Sequence, residues 1–86
     1  MQTLLVASKT DSNKLAGAIT EIIKNESKIT LSSMGAGAVN QAVKAIAIAQ
    51  RFLEPYNLNI VASPTFRVIL IESEERTIID ILVETK

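Results

Sequence analysis

The chain has 86 residues, no net charge, no cysteine and no histidine. These absences exclude a disulfide framework, thiol chemistry, Cys/His zinc sites and Ser-His or Cys-His dyads. No apolar run approaches the roughly 20 residues of a membrane span, and Met1-Gln2-Thr3-Leu4-Leu5-Val6 lacks a signal peptide's basic region. The expectation is one cytoplasmic domain over residues 1–86, with no metal and no cofactor. With aromatics at 3% and hydrophobic residues at 48%, the core must be built from Ile, Leu, Val and Ala.

Thr3-Leu4-Leu5-Val6-Ala7-Ser8 reads as a first strand, bounded by the polar run Lys9-Thr10-Asp11-Ser12-Asn13. Asp11 or Ser12 is a suitable N-cap for a helix in which Leu15, Ala18, Ile19, Ile22 and Ile23 recur at helical spacing. Asn25 or Ser27 ends it. Lys28-Ile29-Thr30-Leu31-Ser32-Ser33 alternates as a second strand. Gly35-Ala36-Gly37 then opens a second helix from about Ala38 to Leu53, which stops before Pro55. Leu58–Ala62 and Phe66–Ile71 read as strand, interrupted by Ser63-Pro64-Thr65. The proline points to an edge strand with a bulge or bend, or to two strands. Glu72-Ser73-Glu74-Glu75 makes a polar hairpin tip, and Arg76–Val83 is the last strand.

The order is therefore βαβαββ. A helix between the first two strands implies a right-handed crossover and parallel pairing, and the last two form an antiparallel hairpin. The fold class is a two-layer α/β sandwich, a mixed four-stranded sheet with both helices on one face.

In parallel β-loop-α units both loops lie beyond the strands' C-terminal ends, at one edge of the sheet. That makes Lys9, Ser12 and Asn13 neighbours of Gly35, Gly37, Asn40 and Lys44. A glycine turn feeding a helix N-terminus suits phosphate, although glycines after a strand also serve simply to make a tight turn. The pair is not a dinucleotide fingerprint, because Asn40 stands where a third glycine belongs. Charge is uneven along the chain. Residues 1–51 carry six Lys/Arg against three Asp/Glu, and residues 52–86 carry three against six. No pair of carboxylates is spaced for acid-base work at the loop edge, so no catalytic residue is assigned and an enzyme is not expected.

On a helical wheel Val39, Ala42, Val43, Ile46, Ala49 and Leu53 form the expected core face of the second helix. Ala45, Ile48 and Phe52, with Gln41, lie nearly opposite as a second apolar patch. The hairpin is apolar on both faces, with Ile78 and Leu82 on one and Ile79, Ile81 and Val83 on the other. A helix apolar on two sides is buried on two sides. Ile48, Phe52, Ile78 and Leu82 are therefore the expected interface of a homo-oligomer, most simply a dimer.

The run Gly35-Ala36-Gly37-Ala38-Val39-Asn40-Gln41-Ala42-Val43-Lys44-Ala45-Ile46-Ala47-Ile48-Ala49 closely resembles the stage V sporulation protein S family, small bacterial proteins related to the Alba group of nucleic-acid binders. Lys9, Asn13, Ala16-Gly17-Ala18, Pro64 with Phe66, and Glu74-Glu75-Arg76-Thr77 extend the match along the chain. The resemblance implies the βαβαββ order, a bacterial regulatory role in sporulation or development, and action through DNA or RNA without catalysis. It has departures. Ser73 stands where the family often has Gly, Gln50-Arg51 replaces Arg-Gly, and Glu72, Glu74 and Glu75 make acidic a hairpin arm that is basic in Alba proteins. A protein-interaction module, or a sensor of a small phosphate ligand, is the alternative to a nucleic-acid-binding regulator.

Overall fold

A computed structural model covers residues 1–86. Its elements are β1 (Gln2–Val6), α1 (Ser12–Glu26), β2 (Lys28–Met34), α2 (Ala36–Leu53), a 3-10 turn (Glu54–Tyr56), β3 (Ile60–Ile71) and β4 (Glu74–Thr85). The sheet order is β1-β2-β4-β3. β1 and β2 are parallel, and β4 runs antiparallel to both β2 and β3. This is the expected mixed sheet with two helices against one face.

Local chemistry explains the boundaries. The Asp11 carboxylate caps α1, accepting the N–H groups of Asn13 at 2.9 Å and Lys14 at 3.2 Å. Ser27 ends that helix in the left-handed region at φ 70°. Pro55 converts the end of α2 into a 3-10 turn. The core is aliphatic. Ile19, Ile23, Ile29, Leu31, Leu53 and Val83 are the largest fully buried side chains.

β3 corrects one expectation. Proline neither splits nor bulges it. The strand runs unbroken for 12 residues, in continuous register with β4 from Ile60↔Thr85 to Ile71↔Glu74. Pro64 is accommodated because β3 is an edge strand, where an outward position needs no donor. The turn is also tighter than expected. Only Glu72 and Ser73 lie outside the strands, both at positive φ (51° and 65°), as a type I′ hairpin turn requires. The paired strands run on past the helices as an arm, and the molecule measures 46 × 22 × 15 Å.

The buried face of α2 is also corrected. Ala38, Ala42, Ala45, Ala49 and Leu53 are the buried residues, whereas Val43 is 53% exposed and Val39 and Ile46 are half-buried. Ala45 is fully buried and Ile48 packs against the core, so the supposed outer patch of Ala45 and Ile48 faces inward. A row of methyl groups lets α2 approach α1 and the sheet closely, and the bulkier Val39 and Val43 are displaced to the flank.

Candidate nucleic-acid interface

The loop edge forms as the topology dictates. The β1–α1 connection is a compact turn. The Thr10 N–H donates to the Ala7 carbonyl at 3.0 Å, and the Ala7 N–H donates to Thr10 Oγ1 at 2.8 Å. Two contacts join it to the start of α2. The Gln41 side-chain amide donates to the Thr10 carbonyl at 2.7 Å. Gly37 lies so close to Ser8 that a Cβ at residue 37 would stand 2.9 Å from the Ser8 Cβ.

The two glycines differ in purpose. Gly35 adopts φ 92° and ψ 153°, a region essentially closed to other residues, at the N-cap of α2. Gly37 has no positive φ; it is needed for the close approach of the loops.

Lys9, Asn13, Gly35, Gly37, Asn40 and Lys44 are exposed and Ser12 is half-buried. The two helix N-termini at this edge are not equivalent. The Asp11 carboxylate occupies the N-terminus of α1 and adds a negative charge there, while Gly35 supplies no side-chain cap to α2. The molecule's four ion pairs are Lys24–Glu21, Lys28–Glu84, Arg67–Asp80 and Arg76–Glu74. Lys9, Lys14 and Lys44 take part in none. Lys14 escaped the sequence reading, although its place three residues after the Asp11 cap puts it in the first turn of α1.

The concave surface adjoins this edge at Gly35 and Asn40. A groove of about 580 Å³ is lined by Gly35, Ala36, Val39, Asn40, Val43, Thr77 and Ile79. Through Val39, Val43 and Ile79 it continues into an almost wholly apolar groove of about 490 Å³, walled by Ile46, Ala47, Ala62, Pro64 and Ile81. Of the residues expected at an oligomer interface, Ile78 is buried within the monomer, Ile48 and Leu82 are half-buried, and Phe52 is 45% exposed. The large apolar side chains more than half exposed are Met1, Leu5, Val43, Tyr56, Phe66, Val68 and Leu70.

On the helix-free face of the sheet, Arg67 Nε donates to Asp80 Oδ2 at 2.7 Å and its Nη2 reaches Ser32 Oγ at 3.4 Å. The guanidinium holds the Asp80 carboxyl below the usual carboxylate range, with help from the Ser32 hydroxyl and against the opposing push of burial. This pair neutralises Arg67. At the tip, Glu74 engages Arg76 at 2.7 Å, leaving Glu72 and Glu75 without ion pairs.

This combination of sheet order, helix placement and projecting hairpin arm is that of Alba proteins. The structure of Alba from Thermoplasma volcanium superposes with a TM-score of 0.67 at 16% identity, covering 95% of this chain and 98% of that one. The stage V sporulation protein S (SpoVS) family matches residues 2–86, and the chain belongs to that family. No helix is long and apolar enough to cross a membrane.

Proposed function

We propose that this chain is a non-enzymatic regulatory protein that binds DNA or RNA in the cytoplasm as a homo-oligomer. Lys9, Ser12, Asn13, Gly35, Gly37, Asn40 and Lys44 form its phosphate-facing edge, with Lys14 beside them. The observation that carries the reading is the set of three lysines free of ion pairs, Lys9 in the β1–α1 loop, Lys14 in the first turn of α1 and Lys44 in the third turn of α2, on elements that Gly37 and Gln41 hold together. Membership of the SpoVS family and an Alba-like fold support it. The acidic arm tip does not fit a phosphate contact, so binding is assigned to the loop edge. Self-association is assigned to the apolar surface of α2 and the arm, because Val43, Phe66, Val68 and Leu70 are more than half exposed.

Fluorescence anisotropy with short duplex DNA and single-stranded RNA at several salt concentrations tests this. Three neutralised phosphates per subunit correspond to a slope of log K on log salt of about −2.7. Lys9→Glu and Lys44→Glu should each weaken binding at unchanged melting temperature. Parent-like binding by both variants at low salt would remove the loop edge from consideration.

The apolar groove of Val39, Val43, Ile46, Ala62 and Pro64 favours a second reading, a protein-interaction module. Such a complex would be nearly insensitive to salt.

A further inference from the structure

Lys9 is exposed, yet the backbone that carries it is held on both sides. Ser8 and Lys9 are the two central residues of the turn between β1 and α1. A reciprocal pair of hydrogen bonds closes that turn. The Thr10 N–H donates to the Ala7 carbonyl at 3.0 Å, and the Ala7 N–H donates to Thr10 Oγ1 at 2.8 Å. This pair shapes the turn without fixing where it stands. A surface connection tethered only at its ends is more mobile than the elements it joins.

Two residues of α2, one helical turn apart, fix its place. Gly37 packs against Ser8, on one side of Lys9, so closely that a Cβ there would lie 2.9 Å from the Ser8 Cβ. Gln41 reaches Thr10, on the other side, and its Nε2 donates to the Thr10 carbonyl at 2.7 Å. A carbonyl only accepts, so the amide nitrogen is the atom that faces it. The Gly37 contact limits how near the turn comes and attracts only by weak dispersion. The Gln41 bond is the one hydrogen bond between the turn and α2. Residues three and four apart on a helix are surface neighbours, so Gly37, Gln41 and Lys44 lie along one stripe of α2. Gln41 is half-buried with its amide nitrogen engaged, which places it to act through Lys9 and not on a ligand directly.

We propose that Gln41 is the positioning residue of the phosphate-facing edge. By clamping the Lys9 turn to the stripe that carries Lys44, it sets the spacing at which the two lysines meet a nucleic-acid backbone. This rests on the loop edge as the binding surface and makes the contribution of Lys9 conditional on Gln41. The physical reason is entropic. A lysine already gives up much side-chain freedom on ordering, and a loose turn adds backbone freedom that binding must also remove.

Gln41→Met keeps the side chain's length and removes the donor. The Ala7–Thr10 bonds remain and the Thr10 carbonyl can turn to water, so circular dichroism and melting should stay near the parent's. Anisotropy with short duplex DNA, and with single-stranded RNA in parallel, then reads the phosphates engaged at several salt concentrations. On duplex, Gln41→Met and Lys9→Ala should each bring the slope of log K on log salt from about −2.7 to about −1.8, the loss of one phosphate. The double variant should go no further, whereas Lys44→Ala should remove another contact in either background. A parent-like slope for Gln41→Met, or losses that add in the double variant, would overturn the positioning role and leave the loop edge standing. So would a loss with Gln41→Ala that Gln41→Met does not share, since packing and not the hydrogen bond would then be responsible. No binding by the parent, or parent-like binding by both Lys9→Ala and Lys44→Ala, would overturn the loop-edge reading and the role of Gln41 with it.

Discussion

Gly37→Ala gives the sharpest test of how the loop edge is held. The backbone at 37 is ordinary, so the cost arises from contact alone. The new methyl would sit 2.9 Å from the Ser8 Cβ and 3.6 Å from its Cα, and the Ser8 Cβ cannot rotate away. Overpacking of this kind costs about 1–3 kcal/mol, and alanine returns up to about 1 kcal/mol of helix propensity. Net destabilisation of about 1–2 kcal/mol is expected, a fall in melting temperature of roughly 4–16 °C for a domain of this size. The decisive measurement is a double-mutant cycle by thermal and urea denaturation with Ser8→Gly, which removes the opposing Cβ. The pair should be more stable than the sum of the single changes by about 1–2 kcal/mol, well above the roughly 0.5 kcal/mol expected of uncoupled sites. Gly35→Ala is the internal control. Nothing lies within 4 Å of a Cβ there, so its cost is backbone strain at φ 92° and Ser8→Gly should not relieve it. Additivity at Gly37 would refute the close-approach argument.

Three further outcomes are expected. Ser73→Gly should raise the melting temperature, since a left-handed residue other than glycine costs about 1–2 kcal/mol and glycine's extra chain entropy offsets only about 0.5–1 kcal/mol of that. Gln50→Ala should lower stability by about 1–3 kcal/mol in urea melts, because its amide serves both the Leu58 carbonyl and the Ile60 N–H. Asp80→Asn should flatten the acid limb of the stability profile. The folded Asp80 carboxyl is held below its unfolded value, so its contribution is present above about pH 4 and is lost as pH falls through the folded value. With Arg67 54% exposed, the change should not exceed about 1 kcal/mol.

The order of elements was legible because each signal is local: the Asp11 cap, alternation in β2, the glycine turn, the helix stop before Pro55. The face of α2 was not. A wheel weights residues by apolarity and so selects Val39, Val43 and Ile46. Packing selects by volume as well, and along most of α2 the space beneath is filled by alanines, Ala38, Ala42, Ala45 and Ala49, with Leu53 buried at its end. The burial of Ile78 and half-burial of Ile48 within one chain were hidden for the same reason, since they depend on how far each element overhangs the next. Pro64 marks an edge strand, as the sheet order has it, but that it neither bends nor splits the strand depends on hydrogen-bond phase, which emerges only from pairing. At the loop edge, the meeting of the β1–α1 turn with the start of α2 follows from topology, whereas Gln41's bridge to Thr10 needed coordinates.

The arm beyond the helices has a consequence for motion. From Val68 to Thr77 the chain is a two-stranded ribbon that β2 does not flank, and an isolated ribbon is marginally stable in water. Its local opening free energy is therefore far below that of β2, which is flanked on both sides and roofed by α1 and α2. Amides near Glu72 and Ser73 will exchange with solvent deuterium long before those of Ile29 and Leu31, so the projecting end of the molecule frays while its body stays folded.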